Sequence, residues 1–375
     1  MRLWLWPVSA LVLSAAPPLS KGFEHFYNLE YEQSIGVFEA ERRANPSSAA
    51  AHNHLAQAIL YREMFNAGAL ESELVSGNNP FLARAKIVPP EAEQKRFDDA
   101  IATAIECSKA RLARNPNDPD GLYTLGVAHG LRANYNFLIR KQWRESLREF
   151  TQSRKLHNQV VKLKPTFIDA HMVEGAHDYI VGSLPFTWKL LGFLAGFHGD
   201  KDAGLRTVER VAREGEQNRV EAMVLLAVAY RRERHAEKAV PLLQSLIAQF
   251  PRNYLFPLDL VQMYGDLGKK EEALGVLAAM KSAPPAKVQY SRGNLLFWYR
   301  DYRAALADLD KSSAAPESIG LNTIVNSWLR KGQCHDMLNE RNLAKSAYSK
   351  AVSLAPDSDA ARESRRYLDS PYRRK

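Results

Sequence analysis

Hydrophobic positions recur along most of the chain at helical spacing and predict paired amphipathic helices. In residues 221–251, apolar or small side chains stand three or four positions apart in two runs, which places each run on one helix face. These positions are Met223, Leu226, Ala227, Tyr230, Ala239, Leu243 and Leu246. Apolar or small residues recur thirty-four positions later, at Pro257, Leu260, Val261, Tyr264, Ala273, Leu277 and Met280. This period predicts a stacked array of helical hairpins, in which each unit contacts its neighbours.

Small residues and prolines punctuate the pattern where such hairpins need them. Small residues in the first helix of successive pairs would permit close approach of the second: Gly126, Gly175, Ala227, Gly293 and Gly332. Alanines near the start of the second helix would do the same from the other side: Ala239, Ala273, Ala305 and Ala344. Prolines are expected to end the second helices, because proline cannot continue one: Pro46, Pro116, Pro165, Pro251 and Pro356.

One copy carries a more diagnostic order of side chains, namely Trp328, Gly332, Ala344, Tyr348, Ala351 and Pro356. With this copy and its period, most of the chain resembles the tetratricopeptide-repeat family. The resemblance implies an all-α, right-handed α-α superhelix of about eight helical pairs. A polar-faced helix over 357–368 would cap it.

The chain divides at departures from this repeat. We expect repeats over 21–165 with an insertion at 66–90, a divergent repeat over 166–215, repeats over 216–356, and a capping helix with a basic tail over 357–375. The insertion is too long for an inter-helix turn, so it is either functional or merely tolerated. Its apolar residues are expected to pack back on the array: Leu70, Leu74, Phe81, Leu82 and Ile87.

The N-terminus predicts export. One basic residue, Arg2, precedes an apolar run over 3–16, and small residues follow, which is the pattern of a signal peptide. We therefore expect residues 1–20 to be a signal peptide or a short anchor, and the mature chain to be periplasmic or otherwise extracytoplasmic. The two cysteines, Cys107 and Cys334, lie in apolar helical patterns and are expected to be free thiols.

A second departure is the almost wholly apolar segment 179–197, which Pro185 and Lys189 interrupt. A buried extra helix, a segment touching a bilayer, and the wall of an apolar ligand pocket are three open interpretations. Phe186, Trp188 and Phe193 suit each of them. Residues 179–205 also resemble the mitochondrial outer-membrane Iml-type tetratricopeptide family through a Gly-Phe-x-Gly-Asp turn. This resemblance implies membrane-associated organisation or lipid-linked housekeeping.

Charge adds a candidate membrane surface. The formal net charge is +9, and residues 131–164 hold nine basic and two acidic side chains. Lys141, Arg144, Arg148 and Lys155 recur near one helix face, which is either solvated or binds an anionic surface. Neither the predicted export nor any groove-reading motif favours nucleic acid.

No catalytic or metal motif stands out. CxxC, HExxH, P-loop and dinucleotide patterns are absent from the sequence. His171, Glu174 and His177 lie three residues apart on a predicted helix, but the outer two face directions about 120° apart. We therefore predict no enzyme activity, cofactor or metal site.

The family resemblance implies binding along the concave groove lined by first helices. Carried onto the well-aligned copies, it gives Glu221, Val224, Val228, Arg231, Leu255, Leu258, Gln262, Asp266, Asn326, Leu329, Gln333 and Asp336. This mixed polar set suits an extended or helical peptide. The predicted function is an exported scaffold that binds a protein or peptide partner. The alternatives are a peripheral membrane organiser using 131–164 and 179–197, and a carrier of a small apolar ligand closed by the 66–90 insertion.

Overall fold

The computed structural model describes residues 20–70, 87–183, 198–314 and 320–374. Within these ranges it has seventeen α-helices, with a π turn at Asn136–Arg140 and a 3-10 turn at Ile168–His171. In chain order the helices are α1 Lys21–Tyr27, α2 Tyr31–Ala44, α3 Ala49–Asn66, α4 Glu91–Arg114, α5 Pro119–Tyr135, α6 Trp143–Leu163, α7 Met172–Gly182, α8 Lys201–Glu214, α9 Arg219–Arg232, α10 Ala236–Gln249, α11 Leu255–Asp266, α12 Lys270–Ala279, α13 Pro285–Trp298, α14 Tyr302–Ser313, α15 Leu321–Met337, α16 Arg341–Leu354 and α17 Asp359–Asp369.

The helices form antiparallel pairs, as the hydrophobic period predicts. Taken in order, α1 to α16 make eight pairs, and α17 packs on α15 and α16 at the C-terminal end. The all-α repeat architecture is therefore confirmed for the described residues. The predicted signal segment, residues 1–20, lies almost entirely outside them.

Close packing within a pair depends on the small residues that the sequence marks. A Cβ atom built on Gly332 of α15 would lie 2.3 Å from the ring of Tyr348 on α16. At Gly126 of α5, the same construction places a Cβ 2.6 Å from the imidazole of His157. Since real carbon atoms do not approach so closely, a bulkier residue at either glycine would push the two helices apart. The alanines on the facing helices are fully buried: Ala239, Ala273, Ala305 and Ala344.

The turns between helices follow from backbone chemistry. Each predicted helix-ending proline stands two residues beyond the last helical residue, as at Pro251 after Gln249. Between the two helices of five pairs, one residue has a φ of 62° to 74° in the left-handed region. These residues are Leu29, Arg234, Gly268, Arg300 and Asn339. The repeated left-handed residue reverses the chain in a short turn.

The N-terminal helix packs on the middle of the array. The rings of Tyr27 and Phe250 lie 5.0 Å apart between centroids. Asn253 donates its amide hydrogen to the carbonyl oxygen of Tyr27 at 2.7 Å, and Arg252 pairs with Glu30 at 2.6 Å. These contacts join positions more than 220 residues apart. The first and fifth pairs are therefore neighbours in space, and one hydrophobic cluster runs from α1 to α11.

Two further expectations concern thiols and membranes. Cys107 and Cys334 are both free, as predicted, and burial raises the pKa of Cys334 to about 12. In the described ranges, every helix falls short of the length and apolar character that crossing a bilayer requires.

Candidate functional site

A large cavity lies along the first helices of the last three pairs. It has a volume of 1600 Å³, and α11, α13 and α15 supply much of its wall. The start of α17 and the segment ends at 67–69 and 87–88 also contribute, together with Leu138, Lys141, Arg231 and Arg374. This cavity and its wall form the C-terminal groove.

The predicted groove residues of α9 are divided between the core and this cavity. Glu221 accepts hydrogen bonds from Tyr27 at 2.5 Å and from Gln57 at 3.2 Å, so one of its carboxylate oxygens is already hydrogen-bonded within the chain. Val224 and Val228 are half-buried. Arg231, one helical turn further on, lines the cavity.

A polar network joins the α9 and α11 candidates. Arg231 donates to Asp266 at 3.0 Å and also to Gln262, and all three side chains line the C-terminal groove. Because the guanidinium neutralises the carboxylate, this part of the wall is polar without a net charge. On α11, Leu255 is buried and Leu258 is half-buried, and neither side chain lines the cavity.

Most α15 candidates are buried by the chain itself. Asn326 lines the cavity, whereas Leu329 and Gln333 are 5% and 2% exposed. Asp336 is also buried and receives hydrogen bonds from Arg341 at 3.0 Å and from Tyr348 at 2.9 Å. Asp336 therefore holds the last pair together. The assignment of these twelve residues to partner binding stays a prediction, and Arg231, Gln262, Asp266 and Asn326 are the members that line the cavity.

Helix α13 contributes the middle of the groove wall, although none of its residues is among the predicted groove residues. Tyr290, Asn294 and Trp298 all line the cavity. A signal for two of them was present, because Gly293 is the small residue of this pair. Tyr290 stands three positions before it and Asn294 one after, as Val224 and Val228 do around Ala227.

Two polar side-chain atoms have no hydrogen-bond partner among the described residues. One belongs to Asn294 on α13, and the other belongs to Tyr299, which follows the last residue of this helix. The Oδ1 atom of Asn294 and the hydroxyl of Tyr299 are shielded from solvent and make no hydrogen bond there. Burial raises the pKa of Tyr299, which keeps its hydroxyl neutral. Unsatisfied buried polar atoms cost about 1–3 kcal/mol each, so a ligand that bonds them would gain stability.

The mouth of the groove carries exposed apolar side chains. Trp298 is 49% exposed, Leu321 is 54% exposed and Val88 is 74% exposed. All three line the cavity. Large apolar side chains beside a polar-lined cavity are typical of a surface that binds another molecule.

The predicted insertion borders this groove. Leu70 and Ile87 pack against the main hydrophobic cluster, which confirms that its ends return to the array. Leu74, Phe81 and Leu82 belong to residues 71–86, outside the described part of the chain.

The predicted basic stripe is partly neutralised. Glu149 is buried and pairs with Arg132 at 2.7 Å, while Arg154 pairs with Glu174 at 2.9 Å. The remaining basic side chains on α6 are exposed: Arg144, Arg148, Lys155 and Lys162. Lys141 has a left-handed backbone and lines the C-terminal groove instead.

Two exposed apolar side chains accompany the exposed arginines at the start of α6. Trp143 and Leu147 are 39% and 47% exposed, beside Arg144 and Arg148. The apolar membrane candidates Phe186, Trp188 and Phe193 lie in residues 184–197, outside the described residues.

One group of metal-type side chains comes together on α7. Glu174, His177 and Asp178 each place a ligand-type atom within 4.8 Å of the others, while His171 instead bonds the carbonyl of Pro165 at 3.2 Å. The carboxylate of Glu174 already binds Arg154 through both oxygens, at 2.9 and 3.0 Å, and this contact lowers its pKa. The guanidinium occupies the oxygens that a cation would need.

Comparisons with known proteins agree with the repeat architecture. Family models described as tetratricopeptide repeat match residues 221–253 and 325–358. No curated protein matches the sequence. Neither these models nor the similar structures support the Iml-type resemblance of residues 179–205.

Several solved structures are similar to the chain at low sequence identity. Yeast Tom70 is 11% identical, with 92% of this chain and 86% of that chain covered and a TM-score of 0.41. YrrB, a TPR protein with an unusual peptide-binding site, is 12% identical over 70% of this chain and 99% of its own, with a TM-score of 0.35. Human IFIT1, solved as a dimer with m7Gppp-AAAA, is 14% identical, with 94% of this chain and 81% of that chain covered and a TM-score of 0.47. The two matched stretches, residues 221–253 and 325–358, are therefore tetratricopeptide repeats, and the other described helices form antiparallel pairs of the same kind.

Proposed function

We propose that the chain is a non-catalytic scaffold that holds an extended segment of a protein partner in the C-terminal groove. The observation that carries the proposal is the 1600 Å³ cavity on three successive first helices, α11, α13 and α15. Its lining mixes amide, hydroxyl and charged side chains with exposed apolar ones. This mixture suits a peptide better than a small, wholly apolar ligand.

The unsatisfied atoms support a ligand with backbone-like polar groups. Asn294 Oδ1 is an acceptor without a donor, and the Tyr299 hydroxyl can donate or accept. An extended peptide presents N–H and C=O groups alternately, so it can supply both partners once the Asn294 and Tyr299 side chains turn towards the groove. Its side chains would then reach Trp298 and Leu321 at the mouth of the groove.

The dimensions of the groove limit the length of the bound segment. Neighbouring helices pack about 8–10 Å apart, so three of them span about 20 Å. An extended chain rises about 3.3 Å per residue, and about six residues would therefore fill the groove.

The experiment is quantitative affinity capture of the tagged full chain from its native host, comparing wild type with Asn294→Trp and Lys345→Trp. Asn294 lies in the groove, whereas Lys345 is exposed on α16 outside it. We expect the indole at 294 to remove a captured partner that the indole at 345 leaves bound. A partner retained by both variants would refute binding in the groove.

A second candidate function is docking to an anionic membrane surface. The observation that favours it is the exposure of Trp143 and Leu147 beside Arg144 and Arg148 on α6. Apolar insertion combined with basic side chains is a common pair of membrane signals.

Export also remains a proposal, and it rests on the apolar run over residues 3–16. Mass spectrometry of the chain from its native host would support it by finding an N-terminus near residue 21, and an intact N-terminus in the cytoplasm would refute it.

A further inference from the structure

Three aspartates line the C-terminal groove; Asp266 and Asp359 are paired within the chain, and Asp357 forms no ion pair among the described residues. Asp266 binds Arg231 at 3.0 Å. Asp359, at the start of α17, binds Arg362 one helical turn later. These two pairs supply both signs of charge, so neither favours a charged ligand.

Two other arginines of the groove wall have no carboxylate partner among the described residues. Arg330 of α15 donates to the side-chain oxygen of Gln333 at 2.7 Å. Its Cζ atom lies 4.3 Å from the ring centroid of Phe297 and 5.0 Å from that of Trp298. The aromatic rings therefore hold a guanidinium that keeps most of its five donors available.

Arg374 reaches the same ring from the C-terminal tail. It donates to the carbonyl oxygen of Trp298 at 2.8 Å, and its Cζ lies 5.3 Å from that ring centroid. The tail is held in place because the backbone N–H of Tyr372 donates to Asp336 at 2.8 Å. The ring of Tyr372 also packs on Phe297, with centroids 5.9 Å apart. Arg374 is thus positioned by the fold, although it lies beyond the last helix.

We propose that Trp298, Arg330 and Arg374 form a subsite for an acidic side chain of the partner segment. Both guanidinium groups lie within 5.3 Å of the centroid of one ring that is itself 49% exposed. Like charges near one another repel, and an incoming carboxylate relieves that repulsion while accepting charge-assisted hydrogen bonds. An apolar side chain next to the acidic residue would cover the indole. The subsite rests on the proposed function, because it needs a peptide in the groove.

The inference makes the tail part of the binding site. A tetratricopeptide array supplies Trp298 and Arg330 from neighbouring first helices, whereas Arg374 comes from outside the repeats. Removing the tail would therefore weaken binding of an acidic peptide without removing the groove.

The test begins with selection of a random heptapeptide phage library on the immobilised full chain. The same selection is run on the Arg330→Gln/Arg374→Gln double variant and on Arg362→Gln. Arg362 lines the same cavity but is already paired, so it is the matched control. We expect Asp or Glu beside an aromatic or aliphatic residue to be enriched on wild type and on Arg362→Gln, and this enrichment to be lost on the double variant.

One enriched peptide is then synthesised with its acidic residue and with the corresponding amide, and its affinities are measured by fluorescence anisotropy. We expect Arg330→Gln and Arg374→Gln each to weaken the acidic peptide by about tenfold, and to leave the amide peptide nearly unchanged. Equal losses for both peptides would overturn the subsite. Thermal unfolding of each variant checks that the fold is retained.

The outcomes separate the two proposals. Peptides that bind the groove without acidic enrichment would overturn the subsite and keep the proposed function. If wild type selects no peptides, or selects peptides that Asn294→Trp still binds, both proposals fail.

Discussion

Tyr27 donates its hydroxyl hydrogen to Oε1 of Glu221 at 2.5 Å, joining side chains 194 residues apart. The second oxygen of Glu221 is shielded from solvent and has no partner among the described residues. Burial is the main reason that the pKa of the Glu221 carboxyl is raised, and burial also raises the pKa of the Tyr27 hydroxyl. This contact fixes the first helical pair against the fifth, and it makes the closure of the array testable.

Removing the hydroxyl in Tyr27→Phe should lower the free energy of unfolding by about 1–3 kcal/mol, because the buried carboxyl loses its donor. Urea denaturation measures the change. Tyr367→Phe is the control, since its hydroxyl also bonds a glutamate, Glu363, at 2.9 Å but near the surface. Similar losses in the two variants would show that the Tyr27 contact contributes no more than a surface hydrogen bond.

Glu221 should also make stability depend on pH. Because the folded pKa is raised, the contribution of this carboxyl is fully present below its unfolded pKa and is lost as the pH rises through the folded pKa. The polar groups that interact with it are Tyr27, Gln57, Tyr61, Tyr123 and Asp169. Glu221→Gln cannot ionise, so its stability relative to wild type should increase from acidic to neutral buffer.

The control for that experiment is Glu237→Gln, since Glu237 is exposed. Its stability relative to wild type should show little change over the same range. If Glu221→Gln behaved in the same way, the raised pKa of Glu221 would be wrong.

The close contact within the last pair predicts opposite effects of two glycine substitutions. Gly332→Ala should lower the free energy of unfolding by about 1–3 kcal/mol, because its Cβ would overlap the ring of Tyr348, 2.3 Å away. Gly275→Ala should instead raise it by up to about 1 kcal/mol, because this glycine lies inside α12 with open space around it. Chemical denaturation of both variants measures the two changes. A Gly332→Ala variant as stable as wild type would contradict the close packing of Gly332 against Tyr348.

The second candidate function predicts salt-sensitive binding to vesicles of phosphatidylserine and phosphatidylcholine. Replacing Arg144 and Arg148 by Gln should weaken that binding about thirtyfold, since each basic residue near an anionic surface contributes about 1 kcal/mol. Arg210→Gln is the control, because Arg210 is exposed but paired with Glu214 at 3.0 Å. Vesicle co-sedimentation measures the effect. If the wild-type chain does not bind these vesicles at low salt, membrane docking is refuted.

The repeat architecture could be predicted because its determinants are local. Gly332, Ala344 and Pro356 act within one pair, and their spacing alone indicates two helices that approach closely and then stop. The closure between Tyr27 and Glu221 could not be predicted. It depends on the rotation of successive helical pairs, which accumulates from the first pair to the fifth. No single sequence motif encodes that rotation.

The groove was partly predictable for the same reason. Counting from Gly293 would have found Tyr290 and Asn294, since the register of first helices is fixed by the small residue. Burial of Gln333 and Asp336 follows from contacts with α16, α17 and the tail, which a repeat register does not contain. The position of Arg374 over Trp298 likewise needs the folded tail.

The most direct test of the central claim is photo-cross-linking in the native host with a photoreactive amino acid at single positions. Gln262, Asn294 and Asn326 represent the groove, and the exposed Glu271 and Lys345 represent the second helices. The account predicts that the three groove positions cross-link one partner through a continuous short segment, and that the other two do not. Cross-links to that partner only from Glu271 and Lys345 would contradict it.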